Sequence, residues 1–537
     1  MSYRPQKRLL ALVLSMCLAA AISWGCNGCN KTAKPPELPD QPTLRLYVLG
    51  GAAGAVEPCG CVKDMLGGVD HAAAYLSGQS AKLPGELVVG AGPMLFSDPS
   101  IDEDKESQAR FKARALAESF KDMSLKAWAP GANDWALGSE TLRELRQASG
   151  AKLLAGNLER SQAFVEATSV EKVNGLRVGL AGVVVGSPRA GLPEGLGFDE
   201  ALTALQAAAK RLSDTADLRV ALISAPRGDA LRLIERVSGF QVLVLGKALD
   251  AGDKNDEPIR PSIVDDTLVV QAPNHLQGIA TVDLFVRDRD FSFQDGSGVE
   301  RLARDESLAV RIRELEKRLE DARAAGAKEA DLKARRNDLE QLKRERQKLS
   351  QAPKVDGSFF KYQLVDVREA LGVDPKVKGR LVAYYKRVNA YNKQAFKDKL
   401  PEPVPEGSAS YLGRDKCTAC HLEEDAFWKG TRHAKAYLTL QKDHKEFNLD
   451  CVSCHVTAYE KPGGSTVTHV QGLTDVQCEV CHGPGSLHVA NPADPKLIQA
   501  SPKRTLCAQA CHHPPHVNSQ WSVDAAWQKI LGPGHGR

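Results

Sequence analysis

The sequence predicts a multidomain chain: an α/β layered front domain, an antiparallel helical hairpin of coiled-coil type, and a mainly α tail. Three observations lead there. From Leu44 to about Val286 short apolar runs alternate with amphipathic stretches, as in strands and helices stacked in layers. Between Leu308 and Leu349 apolar residues repeat at helical spacing under a dense coat of Glu, Lys and Arg. Eight of the 13 cysteines and 11 of the 13 histidines lie beyond position 400, which sets the tail apart by its chemistry.

At 537 residues the chain is too long for one ordinary core. Lys and Arg (71) nearly balance Asp and Glu (67), so no charge excess argues for a nucleic-acid partner. Arg4, Lys7 and Arg8 precede an apolar run from Leu9 to Ile22, and Gly25 precedes Cys26. That order reads as an export signal over 1–25. The run is shorter than the roughly 18–20 residues a spanning helix needs. Cys26 is read as the lipid-bearing residue of a lipoprotein, although Ser23 and Trp24 depart from the usual pattern; simple cleavage or an uncleaved anchor is the alternative. Residues 26–42, with Pro35, Pro36, Pro39 and Pro42, form a Pro-rich tether.

The front domain is expected over 43–296. Strands are predicted at Leu44 to Leu49, Glu86 to Val89, Lys152 to Ala155, Arg177 to Val185, Leu218 to Ser224, Val242 to Leu245, Thr267 to Gln271 and Ala280 to Val286. Helices are predicted at Ser107 to Met123, Ser139 to Ser149 and Asp199 to Ser213. The hairpin follows over 297–352, with Leu308, Ile312, Leu315 and Leu319 facing Leu332, Leu339, Leu342 and Leu349 and the turn near Gly326; a solvated spacer is preferred to a partner-binding arm. A strand (Phe359 to Val367) and a helix (Val377 to Ala395) make a closing segment over 353–400. Pro401, Pro403 and Pro405 mark a linker over 401–410 before the tail, 411–537.

The tail carries Cys417-Thr418-Ala419-Cys420-His421, Cys451-Val452-Ser453-Cys454-His455 and Cys478-Glu479-Val480-Cys481-His482. Each is a C-x-x-C-H segment, the haem attachment pattern: two thiols form thioethers with the vinyl groups and the histidine takes the iron from the proximal side. Cys507-Ala508-Gln509-Ala510-Cys511-His512 has one extra residue between its cysteines and is the least secure of the four. Structural zinc uses similar pairs, but does not ask for a histidine after every one; disulfides explain the histidines no better. Four haem c groups are expected. His433 and His488 are the leading second axial ligands, His469 and His535 come next, and His444, His513 and His516 follow. With every iron closed by two imidazoles, electron transfer is the default function. The tail has few large apolar residues, so haem is expected to supply most of its core.

Tyr411 to His421, His433-Ala434-Lys435-Ala436 and Val476 to His488 together resemble the tetrahaem cytochrome c family of the hydroxylamine-oxidation pathway, over roughly Tyr411 to Arg537. The resemblance implies closely stacked haem pairs and His433 and His488 as distal ligands.

In the front domain, Leu44 to Gly54, Leu66 to Val69, Glu86 to Phe96, Gly131 to Gly138 and Gly156-Asn157-Leu158 are similar in order to the calcineurin-like metallophosphatase domain of periplasmic 5′-nucleotidases. That family holds two metals with Asp, His and Asn ligands. Here Gly50-Gly51-Ala52-Ala53, Gly90 with Pro93, Ala132-Asn133-Asp134, Ser224-Ala225-Pro226 and Gly246-Lys247 stand at the ligand motifs, so a catalytically silent relative is expected. Pro58-Cys59-Gly60-Cys61 is shared with related exported proteins. A local disulfide or inert thiol pair is preferred there to a redox-active pair or soft-metal site.

The expected function is electron transfer in the cell envelope, in the periplasm or on the outer surface, with membrane attachment through a lipid anchor and redox proteins as partners. Two rivals stand: an oxidoreductase with one open haem reducing a nitrogen or sulfur oxyanion, and a working metal-dependent 5′-nucleotidase fused to a cytochrome.

Overall fold

The computed structural model describes residues 41–58, 65–80, 85–159, 163–187, 189, 191–250, 253–296, 299–349, 357–513, 517 and 521–535. The signal segment, Cys26, Cys59, Cys61 and His516 lie outside the described residues.

Among the described residues, fourteen strands form two sheets: β1 (Leu44–Leu49), β2 (Glu86–Gly92), β3 (Leu125–Pro130), β4 (Lys152–Leu154), β5 (Val165–Glu166), β6 (Thr168–Val173), β7 (Leu176–Val184), β8 (Leu218–Ala225), β9 (Val242–Lys247), β10 (Ser262–Val264), β11 (Thr267–Gln271), β12 (Gly278–Phe285), β13 (Gln294–Asp295) and β14 (Phe359–Asp366). One sheet runs β13-β14-β12-β1-β2-β3-β4-β5 and the other β10-β11-β9-β8-β7-β6. β1 to β5 pair in parallel, as do β7, β8, β9 and β11. Parallel neighbours need crossovers. α1 (Val69–Ser80), α2 (Glu106–Asp122) and α3 (Gly138–Ser149) supply them for the first sheet, and α4 (Ala201–Leu212) and α5 (Arg227–Ile234) for the second.

The sheets pack face to face. Leu44, Leu46, Val48, Leu87 and Val89 meet Leu180, Val220, Leu222 and Val244 in a core closed to water. Tyr47, Leu49, Val88 and Trp128 point the other way, onto Leu76, Leu116, Phe120 and Leu142 of the helices. Burial on both faces is why the first strand reads as a nearly continuous apolar run. On the far side, Leu205, Leu212 and Ile234 cover Ile223, Leu243 and Leu245. The front domain is thus a four-layer α/β/β/α stack.

α6 (Val299–Ala324) and α7 (Glu329–Leu349) form the helical hairpin, turning at Gly326 with φ 72°. Leu308, Ile312, Leu332 and Leu339 are buried along it, and Lys343–Glu316 (2.9 Å) and Arg346–Asp305 (3.1 Å) bridge the helices.

The strand and helix of 353–400 lie within the front domain's layers. β14 pairs antiparallel with β12 along its whole length. α8 (Pro375–Ala395) starts with Pro375 at its first position, and Asp374 caps it by accepting from Lys376 N and Val377 N, both at 3.0 Å. Val377, Leu381 and Val388 on α8 join the core with α1 and α2. Among the described residues, the tail beyond residue 410 has one small apolar cluster, built on Tyr437, Leu440, Val452, Val456 and Val470. Among the described residues no helix is long and apolar enough to cross a membrane.

Candidate haem-binding tail and the front-domain strand ends

The C-terminal ends of the strands are where a layered α/β domain keeps its ligands. In this chain the backbone itself fills that space. A Cβ added at Gly246 would lie 1.9 Å from the Ala91 carbonyl carbon, and one at Gly50 would lie 2.4 Å from Pro273 O, so the strand ends of the two sheets touch main chain to main chain. Asp134 is buried there and accepts from Leu95 N (2.8 Å), Met94 N (2.9 Å) and Gly131 N (3.0 Å). Burial pushes its carboxyl up to about 7 against the opposing pull of those donors. Asn133 donates to Ser97 O, and Asn157 exchanges two hydrogen bonds with the Val184 main chain. Lys247 pairs with Asp256 at 3.0 Å, and His275 Nδ1 lies 2.9 Å from Asn255 Oδ1. Asp134, Asn133, Asn157, Lys247 and His275 therefore bind backbone or other side chains, while Ser224 Oγ is buried without a hydrogen-bond partner among the described residues.

In the tail, each Cys-His segment sits on or beside one turn of helix: α9 (Arg414–Cys417), α12 (Val452–His455), α13 (Cys478–His482) and α15 (Thr505–Ala510). Between them lie α10 (Leu422–Lys429), α11 (Ala436–Lys442) and α14 (Ser486–Ala490), and α16 (Val523–Ile530) follows. One turn brings cysteines three apart onto one side, and four apart does so equally. The extra residue between Cys507 and Cys511 is absorbed in that way, with His512 N still bonded to Cys507 O at 2.8 Å.

The segments meet in pairs. The Cys417 thiol interacts with that of Cys478, bringing the first segment to the third, and Cys454 interacts with Cys511 and donates to Ala510 O at 3.7 Å, bringing the second to the fourth. Glu479, buried, accepts from Gly413 N and Gly485 N at 2.8 Å and from Leu412 N at 3.1 Å, so the approach to the first segment is clamped to the third. Gln477 adds a bond from Arg414 N at 2.6 Å. Arg414 in turn grips Asp425 through two nitrogens and lies over the Trp428 ring.

The imidazoles are paired too. The rings of His433 and His512 have centroids 6.4 Å apart, and those of His482 and His535 6.1 Å apart. Two imidazoles on opposite faces of one metal have centroids roughly 6 Å apart, given metal–nitrogen bonds of about 2 Å. His455 Nδ1 donates to Ala436 O at 2.6 Å and His482 Nδ1 to Gln499 O at 2.8 Å, which leaves Nε2 of each ring to reach a metal. Burial lowers the pKa of His433, His455, His482 and His512, keeping them neutral as ligation requires. The Nδ1 atoms of His488 and His512 are buried without a hydrogen-bond partner among the described residues. His469 instead turns Nδ1 to Thr468 Oγ1, 3.1 Å away. These donors fit a covalently attached haem: paired thiols, neutral imidazoles, and a small apolar core awaiting a large apolar group.

Several residues that matter here carry no motif. Trp521 stacks on His512 with centroids 5.0 Å apart, and Glu479 is hidden inside its own Cys-His segment. Gln108 and Asn392 of the front domain reach the tail at Leu449, Asn448 and Phe447. A flat aromatic near the last histidines was the one available signal.

Residues 416–483 match the family described as cytochrome c554 and c-prime. Cytochrome c-554 of Nitrosomonas europaea is 38% identical over 94 residues, 14% of this chain and 40% of that protein, so the chain spans less than half of this relative's length. Among solved structures, a 5′-nucleotidase precursor from Thermus thermophilus aligns with a TM-score of 0.43 and 16% identity, covering 70% of this chain and 62% of that one. An NAD nucleotidase from Haemophilus influenzae aligns at 0.38 and 14%, covering 46% and 48%. A calcineurin-like phosphoesterase from Bacillus subtilis aligns at 0.35 and 11%, covering 46% and 86%. The C-terminal segment resembles the cytochrome c554 family, and that family implies covalently bound haem c.

Proposed function

We propose that the chain is an exported c-type cytochrome that passes electrons through four covalently attached haems, carried by a tail fixed to a non-catalytic front domain. The observation that carries this reading is that the imidazole centroids of His433 and His512, and of His482 and His535, lie 6.4 and 6.1 Å apart, each pair containing the histidine of a Cys-His segment. When bound, haem would supply one-electron chemistry at its iron. Cys417 and Cys420, Cys451 and Cys454, Cys478 and Cys481, and Cys507 and Cys511 would hold it through thioethers, and His421, His455, His482 and His512 would each offer an imidazole nitrogen to the iron. The Ala436 and Gln499 carbonyls orient the rings of His455 and His482. His433 and His535 would supply a second imidazole to two of the sites, and His488 and His469 are the remaining candidates.

The test is a pyridine haemochrome assay with intact mass on protein matured in the cell envelope. Four haems per chain support the reading, three remove the Cys507 site from it, and none overturns it. The non-catalytic front domain is supported by the use of Asp134, Asn133 and Asn157 as backbone acceptors and donors. Metal-dependent phosphate release from nucleotides by the full chain would overturn that part. The partners in this reading are redox proteins of the envelope. Attachment to the membrane through Cys26 predicts that Cys26→Ala moves the protein to the soluble envelope fraction; wild-type protein already found there would count against it.

A further inference from the structure

The tail is bonded to α2 and α8 of the front domain through residues 445–450, the approach to the second Cys-His segment, and it meets the chain just past α8 again where Thr468 and Thr466 donate to Phe396 O and Lys399 O. Gln108 on α2 donates to Asn448 Oδ1 at 3.2 Å and accepts from Leu449 N at 2.9 Å. Asn392 on α8 donates to Gln108 Oε1 at 2.9 Å and to Phe447 O at 2.8 Å, and Asn389 accepts from Phe447 N at 3.0 Å. Gln108, Asn392 and Asn448 are buried. A buried polar network with its bonds made fixes one geometry, because any slip leaves a donor or acceptor without a partner.

Two ion pairs cross the same interface. Lys112 Nζ is 2.8 Å from Asp450 Oδ2, and Lys445 Nζ is 2.8 Å from Glu57 Oε2, while Glu57 Oε1 binds Lys378 at 2.7 Å. Tyr384 and Tyr385 of α8 are buried beside them, and Lys445 lies over the Tyr385 ring at 4.3 Å. These contacts all converge on residues 445–451. Asp450 is the neighbour of Cys451 in sequence, so the Lys112–Asp450 pair stands one residue from the first thiol of the second segment. The first segment differs, since its Cys420 is exposed.

We propose that the front domain is a built-in electrostatic partner of the haem on Cys451 and Cys454. Lys112 is held opposite Asp450 by the Gln108–Asn392–Asn448 frame and sets the reduction potential of that haem. This rests on haem attachment as read above. Lys112 and Asn392 are positioning residues: they act through residues 447–451.

The sign follows from charge. A mediator that donates one electron to ferric iron lowers the net charge there by one, so a nearby cation favours the reduced state and a nearby anion the oxidised one. Lys112 and Asp450 offset each other while paired. Removing one leaves the other uncompensated; Lys112 is the more covered of the two and Asp450 is half exposed, so solvent screens the Asp450 charge more strongly.

The experiment uses the full chain with its haems attached. Haem per chain is measured first in wild type, Lys112→Met, Lys112→Arg, Asp450→Asn and Asn392→Leu, followed by a potentiometric titration of the haem absorbance. One titrating component should move to lower potential in Lys112→Met and to higher potential in Asp450→Asn, while Lys112→Arg stays near wild type. Asn392→Leu should broaden or split that component at unchanged haem content. Unmoved potentials in both charge variants would overturn the inference, as would shifts of both in the same direction, the mark of general loosening. Should Lys112→Met fail to mature, Asp450→Asn and Lys112→Gln carry the test alone. Wild-type protein without haem sinks the reading of the tail itself; wild-type protein with haem but insensitive potentials sinks only the role of Lys112.

Discussion

The front domain and the tail are made by opposite routes. The front domain buries Leu, Val and Phe side chains in three clusters on both faces of two sheets. Its polar strand ends are tied down by main chain. The tail has one small cluster, short helices of one or two turns, and long connections held by single side chains such as Glu479 and Gln477. A helix of one turn is not stable by itself. The first region carries its stabilising surface in its own residues, while the second is shaped to receive it from a prosthetic group.

That contrast is open to breakage. The largest expected effect comes from expressing the chain without haem maturation. The tail should then lose protection from proteolysis and hydrogen exchange while α2, α3 and both sheets keep theirs; a tail equally protected without haem would refute the contrast. Next comes the front-domain core. Phe120→Ala, in the layer between α2 and the first sheet, should lower front-domain stability by about 3–5 kcal/mol in chemical denaturation, leaving the haem absorbance of the folded protein unchanged.

A smaller effect is expected at the tail's own clamp. Glu479→Gln keeps one acceptor oxygen and turns an amide group toward main-chain N–H donors, at a cost of about 1–3 kcal/mol. The loss should appear as earlier release of the segment from Leu412 to Gly485 in hydrogen exchange, and an unchanged profile would deny the clamp its role.

The smallest effect is one of pH. Burial, with help from Lys247, lowers His275 to about 4 from its ordinary 6.5. The folded state therefore holds this imidazole neutral. Its contribution is complete above about 6.5 and is lost as pH falls from there toward 4. Urea midpoints of the front domain should drop between pH 7 and pH 5, and His275→Asn, which tolerates the positive φ of 55° at this position, should flatten the drop. An equal drop in the variant would assign it to other groups.

Much of the front domain was legible in the sequence because its strands are long apolar runs. β1 and β11 begin and end where the runs do. β3 escaped because Leu125–Pro130 is built on Ala, Trp and Lys with a terminal Pro, and lacks β-branched residues. β6 escaped for another reason: it is an edge strand carrying Glu171 and Lys172. Its hairpin signal was nevertheless present in Asn174-Gly175, both at positive φ. α1 was hidden by alanines and by the glycines before it. The Cys-His segments were legible because their chemistry is local in sequence. The facing of His433 with His512, or His482 with His535, was not, because it joins residues more than fifty apart. Gln108, Asn392 and Asn448 give no sequence signal at all, being ordinary polar residues until folding brings them together.

α8 has one further consequence. It turns Leu381 and Val388 into the front-domain core and Asn389 and Asn392 toward the tail, so the covalent linker over 401–410 is not what joins the two regions. A chain nicked within that linker should stay a single particle in gel filtration. The seat on α2 and α8 is built from front-domain residues alone, so the helix is the dock that holds the tail.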